Sequence, residues 1–275
     1  MAEDTLHLNK SKSLFRKWHH NVDGVKRALL IGINYSKSNN ELNGCINDVV
    51  NVKNMLINKF HYKEENITLL TDHTIMKPTK QNIVKCMIEL TQSTTGSDSS
   101  YIHYSGHGTQ VRDLNHDEDK NSDTRGFDDA ICPIDFMKHG FIIDDDLRIM
   151  LYDTLPKGAK LRAVFDCCHS GSTLDLPYLY KNNGMFEMVE PPAKNTDDCL
   201  LISGCRDHQT SADAYIDKSY SGALTWAMLE CIDENEKQSW SELIKNIREK
   251  MTGHYTQIPM LSTGNKSLGL THIDI

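Results

Sequence analysis

No apolar run in this 275-residue sequence is long enough to cross a bilayer. The longest, such as Ala28–Ile33, fall far short of the ~20 residues a span requires, so no membrane partner is expected. The opening stretch MAEDTLHLNKSKSLFRKWHH lacks the apolar core of an export signal, and a cytoplasmic location with reduced thiols is expected. Eight cysteines are present but no C-x-x-C pair, and Cys199, Cys205 and His208 are too loosely spaced to read as structural zinc. There is no G-x-G-x-x-G and no Walker lysine motif, which removes the dinucleotide and P-loop classes. No internal repeat, heptad pattern or low-complexity tract appears. Positive charge is also in deficit. Thirty Lys and Arg against 38 Asp and Glu give a net charge of −8, and nucleic acid is not an expected partner. Disorder is excluded in turn, because 39% hydrophobic and 25% charged residues are ordinary values for a folded chain.

The pattern that is present alternates short apolar runs with helical spacing. Residues 1–25 are polar and basic and read as an arm, with Phe15 and Trp18 as anchors. Arg27–Asn34 is a near-continuous apolar run, the signature of a parallel strand buried on both faces. Ile67–Leu70, Tyr101–Tyr104, Leu161–Phe165 and Leu200–Ser203 repeat it. Between them, Val49, Val52, Met55 and Leu56 share a helix face, and Pro78-Thr79 opens a helix carrying Ile83, Met87 and Leu90. Two late helices follow over Ser221–Cys231 and Ser239–Met251. This alternation predicts an α/β fold, a mainly parallel central sheet flanked by helices on both faces. Residues 26–180 form a large section and 199–275 a smaller section of the same domain. The aperiodic stretch 181–198, with Gly184, Pro191 and Pro192, reads as an exposed connection.

In such sheets, ligands sit beyond the carboxyl ends of the strands. Three polar clusters fall there: Asn43-Gly-Cys-Ile-Asn-Asp48, Tyr104-Ser-Gly-His-Gly-Thr109 and Asp166-Cys-Cys-His-Ser-Gly171. A His between glycines beyond one strand and a Cys beyond another can meet in space, the arrangement used for nucleophilic acyl transfer. The glycines leave backbone amides open to a substrate carbonyl oxygen. The acidic run Asp113-Leu-Asn-His-Asp-Glu-Asp119 is not an EF-hand, since Glu118 stands where that loop needs glycine and Thr124 where it needs a bidentate Glu.

These segments resemble the His and Cys motifs of metacaspases, cysteine peptidases of the caspase-like clan. The resemblance runs from about Arg27 to the C-terminus. It includes Leu42–Asp48, Phe127–Asp135, Ile143–Asp146, Leu174–Pro177 and Ser203–Asp213. The order of the two sections is similar to type I, but the long Pro/Gln-rich N-terminal segment common there is missing. The resemblance implies that Cys168 is the nucleophile and His107 its partner, with the amides of Gly108 and Cys168 as oxyanion donors. It implies an acidic S1 pocket of Cys45, Asp48, Ser105 and Asp166, and so protein or peptide substrates with Arg or Lys before the scissile bond. The competing readings are that Asp48 caps its own helix and that Asp166 orients the Cys loop. Asp128, Asp144, Asp145 and Asp175 match positions that bind calcium in the family, which implies calcium dependence. Lys181 and Lys194 are candidate self-cleavage points in the connection. The family further implies a monomer and a link to cell death. The alternative function is a weakly active or inactive caspase-like scaffold in stress or aggregate handling.

Overall fold

The computed structural model describes residues 24–112, 126–168, 173–189, 198–204, 213–216 and 219–275. In chain order the elements are β1 (Lys26–Gly32), α1 (Cys45–Asn58), β2 (Ile67–Thr71), α2 (Lys80–Gln92), β3 (Ser99–Ser105), β4 (Gly108–Arg112) and β5 (Phe127–Ile131). Next come α3 (Phe136–His139), β6 (Ile142–Ile143), α4 (Asp144–Arg148), β7 (Lys160–Asp166), β8 (Tyr178–Tyr180) and β9 (Phe186–Met188). The remainder is β10 (Cys199–Ser203), β11 (Asp213–Ile216), β12 (Ser219–Gly222), α5 (Ala223–Glu234), α6 (Trp240–Met251) and β13 (Met260–Thr263).

Eight strands form one sheet in the order β2-β1-β3-β7-β10-β13-β8-β9. The first five are mutually parallel, and these are the five runs the apolar pattern predicts. The last three extend the sheet antiparallel. Strand alternation divides the core into two layers. Leu29, Ile31, Ile102 and Tyr104 face Ile83 and Met87 of α2 and Leu147 of α4. Leu30, Tyr101, Val164 and Ile202 face Val49 and Val52 of α1, Met228 of α5 and Ile247 of α6. Each fully buried Leu or Ile in these layers contributes about 1.5–3 kcal/mol through lost contact with water.

Local sequence explains where two helices start. Thr79 caps α2 by accepting the Asn82 amide at 3.3 Å. Ser239 and Glu242 form a reciprocal capping box at α6. The connection differs from its expected form. Residues 181–185 make a tight hairpin between β8 and β9, and both strands continue the main sheet. β8 precedes the connection in sequence yet pairs with β13, so the two sections share one sheet. The alternation that would announce β8 and β9 is too short to register, at three residues each. A separate sheet of β4, β5 and β6 was not expected either.

Candidate active site

The chain runs from β1 outward to β2, then returns past β1 to β3. That reversal opens a crevice at the carboxyl ends of β1 and β3. Register fixes what stands there. Gly32 of β1 pairs with Ser105 of β3, and Ser105 pairs with Asp166 of β7. His107 and Cys168 therefore each lie two residues beyond a directly paired couple. The two loops touch: a Cβ on Gly108 would lie 1.8 Å from the Cys168 carbonyl oxygen and 3.2 Å from the Cys167 Sγ. Only a glycine at 108 lets the Cys loop come this close. Cys167 is fully buried, whereas Cys168 is partly exposed. The next residues, His169 to Ser172, lie outside those described.

His107 is held from several sides. Its Nε2 lies 2.8 Å from the Asn40 carbonyl, which can only accept, so Nε2 donates there and Nδ1 is the nitrogen left for another partner. Its amide donates to the Tyr35 hydroxyl at 3.0 Å, and its carbonyl accepts from the Tyr104 hydroxyl at 2.8 Å and the Cys132 amide at 3.1 Å. Antiparallel ladders alternate, so beside the bonded pair His107–Cys132 the pair Gly108–Ile131 is non-bonded and the Gly108 amide points away from β5. Burial pushes the Cys132 thiol up to about 12, with neighbouring Cys168 adding to the shift. Cys132 is thus a neutral neighbour of the crevice.

The acidic residues of the crevice converge on the start of α5. Asp48 projects from the first turn of α1, one turn beyond Cys45, and is fully buried. It accepts hydrogen bonds from the Ser105 hydroxyl at 2.6 Å, the Ser221 hydroxyl, and the Gly222 amide at 3.0 Å to each oxygen. It does not cap α1, whose N-cap Gly44 has no side-chain bond. Asp166 accepts from the Thr225 amide at 2.8 Å and hydroxyl at 2.7 Å. The Thr225 hydroxyl, having spent its proton, accepts from His103 Nε2 at 3.2 Å. Burial drives His103 down to about 3, so it is neutral. Gly222 is the wedge between the carboxylates: a Cβ there would lie 2.2 Å from an Asp166 oxygen and 2.9 Å from an Asp48 oxygen. Burial first, and then the proximity of Asp166, push Asp48 up to about 7 against its hydrogen bonds.

The four aspartates assigned to calcium are near one another in part. Asp128 lies on β5 and is nearly buried; Asp144 and Asp145 open α4 just after β6, which pairs with β5. Asp144 spends both oxygens on backbone amides, taking the Asp129 amide at 2.8 Å and the Asp145 amide at 3.0 Å. Asp175 has a left-handed φ of 42°, and its carbonyl accepts from Arg148 of α4 at 3.0 Å. Among the described residues no three His, Cys, Asp or Glu side chains are arranged to hold a metal ion. Of the self-cleavage candidates, Lys181 sits at the β8–β9 hairpin turn, its amide bonded to the Met185 carbonyl at 2.9 Å. Lys194 lies outside the described residues, as do Cys205, His208 and the acidic run 113–125.

Sequence reading missed Tyr35, Asn40, His103, Tyr104, Ser221, Gly222 and Thr225. Tyr104 opens the His motif, His103 directly precedes it in β3, and Tyr35 lies just past β1, so position at a strand end was a usable signal. Thr225 had none, because α5 starts at a glycine with no side-chain cap.

A parallel sheet with Cys and His loops at adjacent strand ends defines the caspase-like class of cysteine peptidases. The family model "Metacaspase, peptidase C14 domain" matches residues 26–177. The chain therefore belongs to the metacaspase family. Metacaspase-1 of Meyerozyma guilliermondii is 35% identical, with 89% of this chain and 71% of that protein covered. Metacaspase-1A of Neurospora crassa is 35% identical over 90% of this chain and 64% of its own length. Metacaspase-1 of Coccidioides immitis is 36% identical over 89% and 62%. The chain thus spans less than two thirds of the latter two. Among solved structures, protein GSU0716 from Geobacter sulfurreducens shares the fold, with a TM-score of 0.67, 23% identity, and coverage of 91% and 98%. Among the described residues no helix is long and apolar enough to cross a membrane.

Proposed function

We propose that the chain is a calcium-dependent cysteine endopeptidase that cuts after Arg or Lys. Cys168 attacks the scissile carbonyl and its thiol proton passes to His107 Nδ1. The oxyanion that forms is met by the amides of Gly108 and Cys168, and His107 then protonates the leaving amine. Water releases the acyl group. The observation that carries the basic-residue preference is the pair of buried carboxylates, Asp48 and Asp166, around Gly222. Two carboxylates so close concentrate negative charge, which the side chain of an entering Arg or Lys offsets. The test is a panel of fluorogenic peptides differing only at the residue before the reporter. Arg and Lys peptides should be cut and Asp peptides left intact; efficient cutting after Asp would overturn the pocket reading.

Calcium is proposed to bind through Asp128, Asp144, Asp145 and Asp175, with hard carboxylate oxygens as the fitting donors. Because Asp144 already accepts two backbone amides, a cation has to compete with them, so affinity should be weak. Titration calorimetry and thermal shift of chelator-treated protein should give saturable calcium binding that Asp175→Ala weakens at least 10-fold, with magnesium a poor substitute. Full peptidase activity in excess chelator would refute the dependence.

Self-cleavage is proposed in the connection. The hairpin bonds at Lys181 favour Lys194 as the cut. A cut there leaves β8 paired with β13. It also leaves buried Arg162 of β7 ion-paired to Asp198 and Asp274, each at 2.7 Å. The fragments should therefore co-elute on native size exclusion and separate only in denaturant, at the mass of the intact monomer. Dissociation in native buffer would contradict this. A cytoplasmic location and a role in cell death are carried by the resemblance.

A further inference from the structure

The loop after β1 holds a residue whose geometry nothing in the proposed chemistry uses. Tyr35 is almost fully buried and has a φ of 50°, a left-handed conformation that a bulky residue rarely adopts. The loop is built to impose it. Asp72 accepts the amides on either side, from Asn34 and Ser36, each at 2.9 Å. The Asn34 carbonyl takes the Leu42 amide at 2.8 Å, and the Tyr35 carbonyl takes the Ser38 amide at 3.1 Å. Strain of about 1–3 kcal/mol persists only where surrounding structure over-determines it, and it gathers at functional sites.

The strained backbone aims the side chain at His107. The Tyr35 ring centroid lies 4.8 Å from the imidazole centroid, tilted by 36°, and the edge of Phe136 backs it at 6.1 Å. Its hydroxyl accepts the His107 amide at 3.0 Å and donates to the Cys132 carbonyl at 2.6 Å. The Tyr104 hydroxyl, 3.2 Å away, donates to the His107 carbonyl. The same loop supplies the Asn40 carbonyl to Nε2. One loop thus grips the histidine at its amide, its ring face and one ring nitrogen.

We propose that Tyr35 is a positioning residue for catalysis: its ring and hydroxyl hold the His107 imidazole with Nε2 on Asn40 and Nδ1 available to the Cys168 thiol. This rests on the reading of Cys168 and His107 as the dyad. Ring and hydroxyl have separable parts. The hydroxyl fixes the backbone of His107, and the ring fixes the plane of the imidazole. Both phenols, Tyr35 and Tyr104, are raised well above their ordinary range by burial and stay neutral at working pH. They act by geometry and not by proton transfer.

The test compares Tyr35→Phe, Tyr35→Leu and His107→Ala with the unaltered protein. Two quantities are read: kcat and KM on an Arg peptide with calcium, and the rate of Cys168 alkylation by iodoacetamide at pH 7, assigned by mass spectrometry. Thermal melting checks the fold. Misplacement of a catalytic group by about 1 Å costs on the order of 100-fold in rate. Tyr35→Leu should lower kcat roughly 10- to 100-fold with KM within twofold, and slow alkylation in parallel. Tyr35→Phe keeps the ring and should recover part of both, while remaining several-fold below the parent in kcat. Because Phe preserves packing, it keeps the proposal testable if Leu does not fold. A Phe variant equal to the parent in kcat, or a folded Leu variant whose loss lies in KM alone, overturns the positioning role. If His107→Ala alkylates Cys168 as fast as the parent, the dyad reading itself fails. If His107→Ala is slow and both Tyr35 variants are fast, only the Tyr35 proposal fails.

Discussion

Cys168→Ala is expected to lower kcat/KM on an Arg peptide by at least about 1,000-fold while leaving the melting temperature within a degree or two. On the proposed mechanism the loss is chemical, since without Sγ there is no acyl intermediate to divide the reaction. The fold should tolerate it because the contact that seats the Cys loop is made by the backbone, the Cys168 carbonyl against the bare Cα of Gly108. On the proposed dyad, His107→Ala should cost nearly as much, because paired catalytic groups lose their effect together. The neighbouring residue is the informative control. Cys167 is fully buried and packs toward Gly108, so Cys167→Ala should act on stability, by roughly 1 kcal/mol, and leave kcat within a few-fold. Activity assays and thermal melts on the two variants should give opposite profiles. Loss of activity in Cys167→Ala with retention in Cys168→Ala would reverse the assignment of the nucleophile.

What the sequence made legible follows from the length and burial of each element. The five parallel strands are buried on both faces and so read as continuous apolar runs, and α6 shows its face directly through Trp240, Leu243, Ile244, Ile247 and Met251. β8, β9 and β6 are two or three residues long and only partly buried, which leaves too few positions for a period to show. The crevice was legible where residues flank strand ends, since β3 and β7 each deliver a motif two residues past their last paired position. It was not legible where the chain returns from afar. Ser221, Gly222 and Thr225 reach the crevice from the other section of the chain, and their placement depends on α5 docking against α1. The expected gathering of Asp128, Asp144, Asp145 and Asp175 illustrates a different limit. Sequence gives the charges but not their partners, and backbone amides compete with a cation for Asp144.

Asp48→Asn is expected to separate function from stability in a way that tells a binding carboxylate from a structural one. The carboxyl is pushed up to about 7 by its burial and by Asp166, whereas in the unfolded chain it titrates near 4. A carboxyl raised on folding favours the native state when protonated. That contribution is complete below about pH 4, declines as pH climbs, and is gone once pH passes about 7. At pH 8 the folded protein therefore carries a buried charge that it would be more stable without. Asparagine keeps the shape and an oxygen for the Gly222 amide and removes the charge. At pH 8 the variant should melt a few degrees higher, a gain on the order of 1–3 kcal/mol, and the gain should shrink to about a third by pH 5 and vanish below about pH 4. Activity should move the other way. An Arg side chain entering the pocket would face Asp166 alone, and kcat/KM should fall at least about 100-fold. In the parent protein, the entering cation has to displace the Asp48 proton at acid pH. Cleavage after Arg should accordingly weaken as pH drops below about 7, mainly through KM. Melting curves at pH 5 and pH 8, with kcat/KM profiles for parent and variant, measure all of this. A carboxylate kept only to tie α1 to α5 predicts the reverse, a variant that melts lower at pH 8 and still cuts after Arg, and that result would remove Asp48 from the specificity pocket.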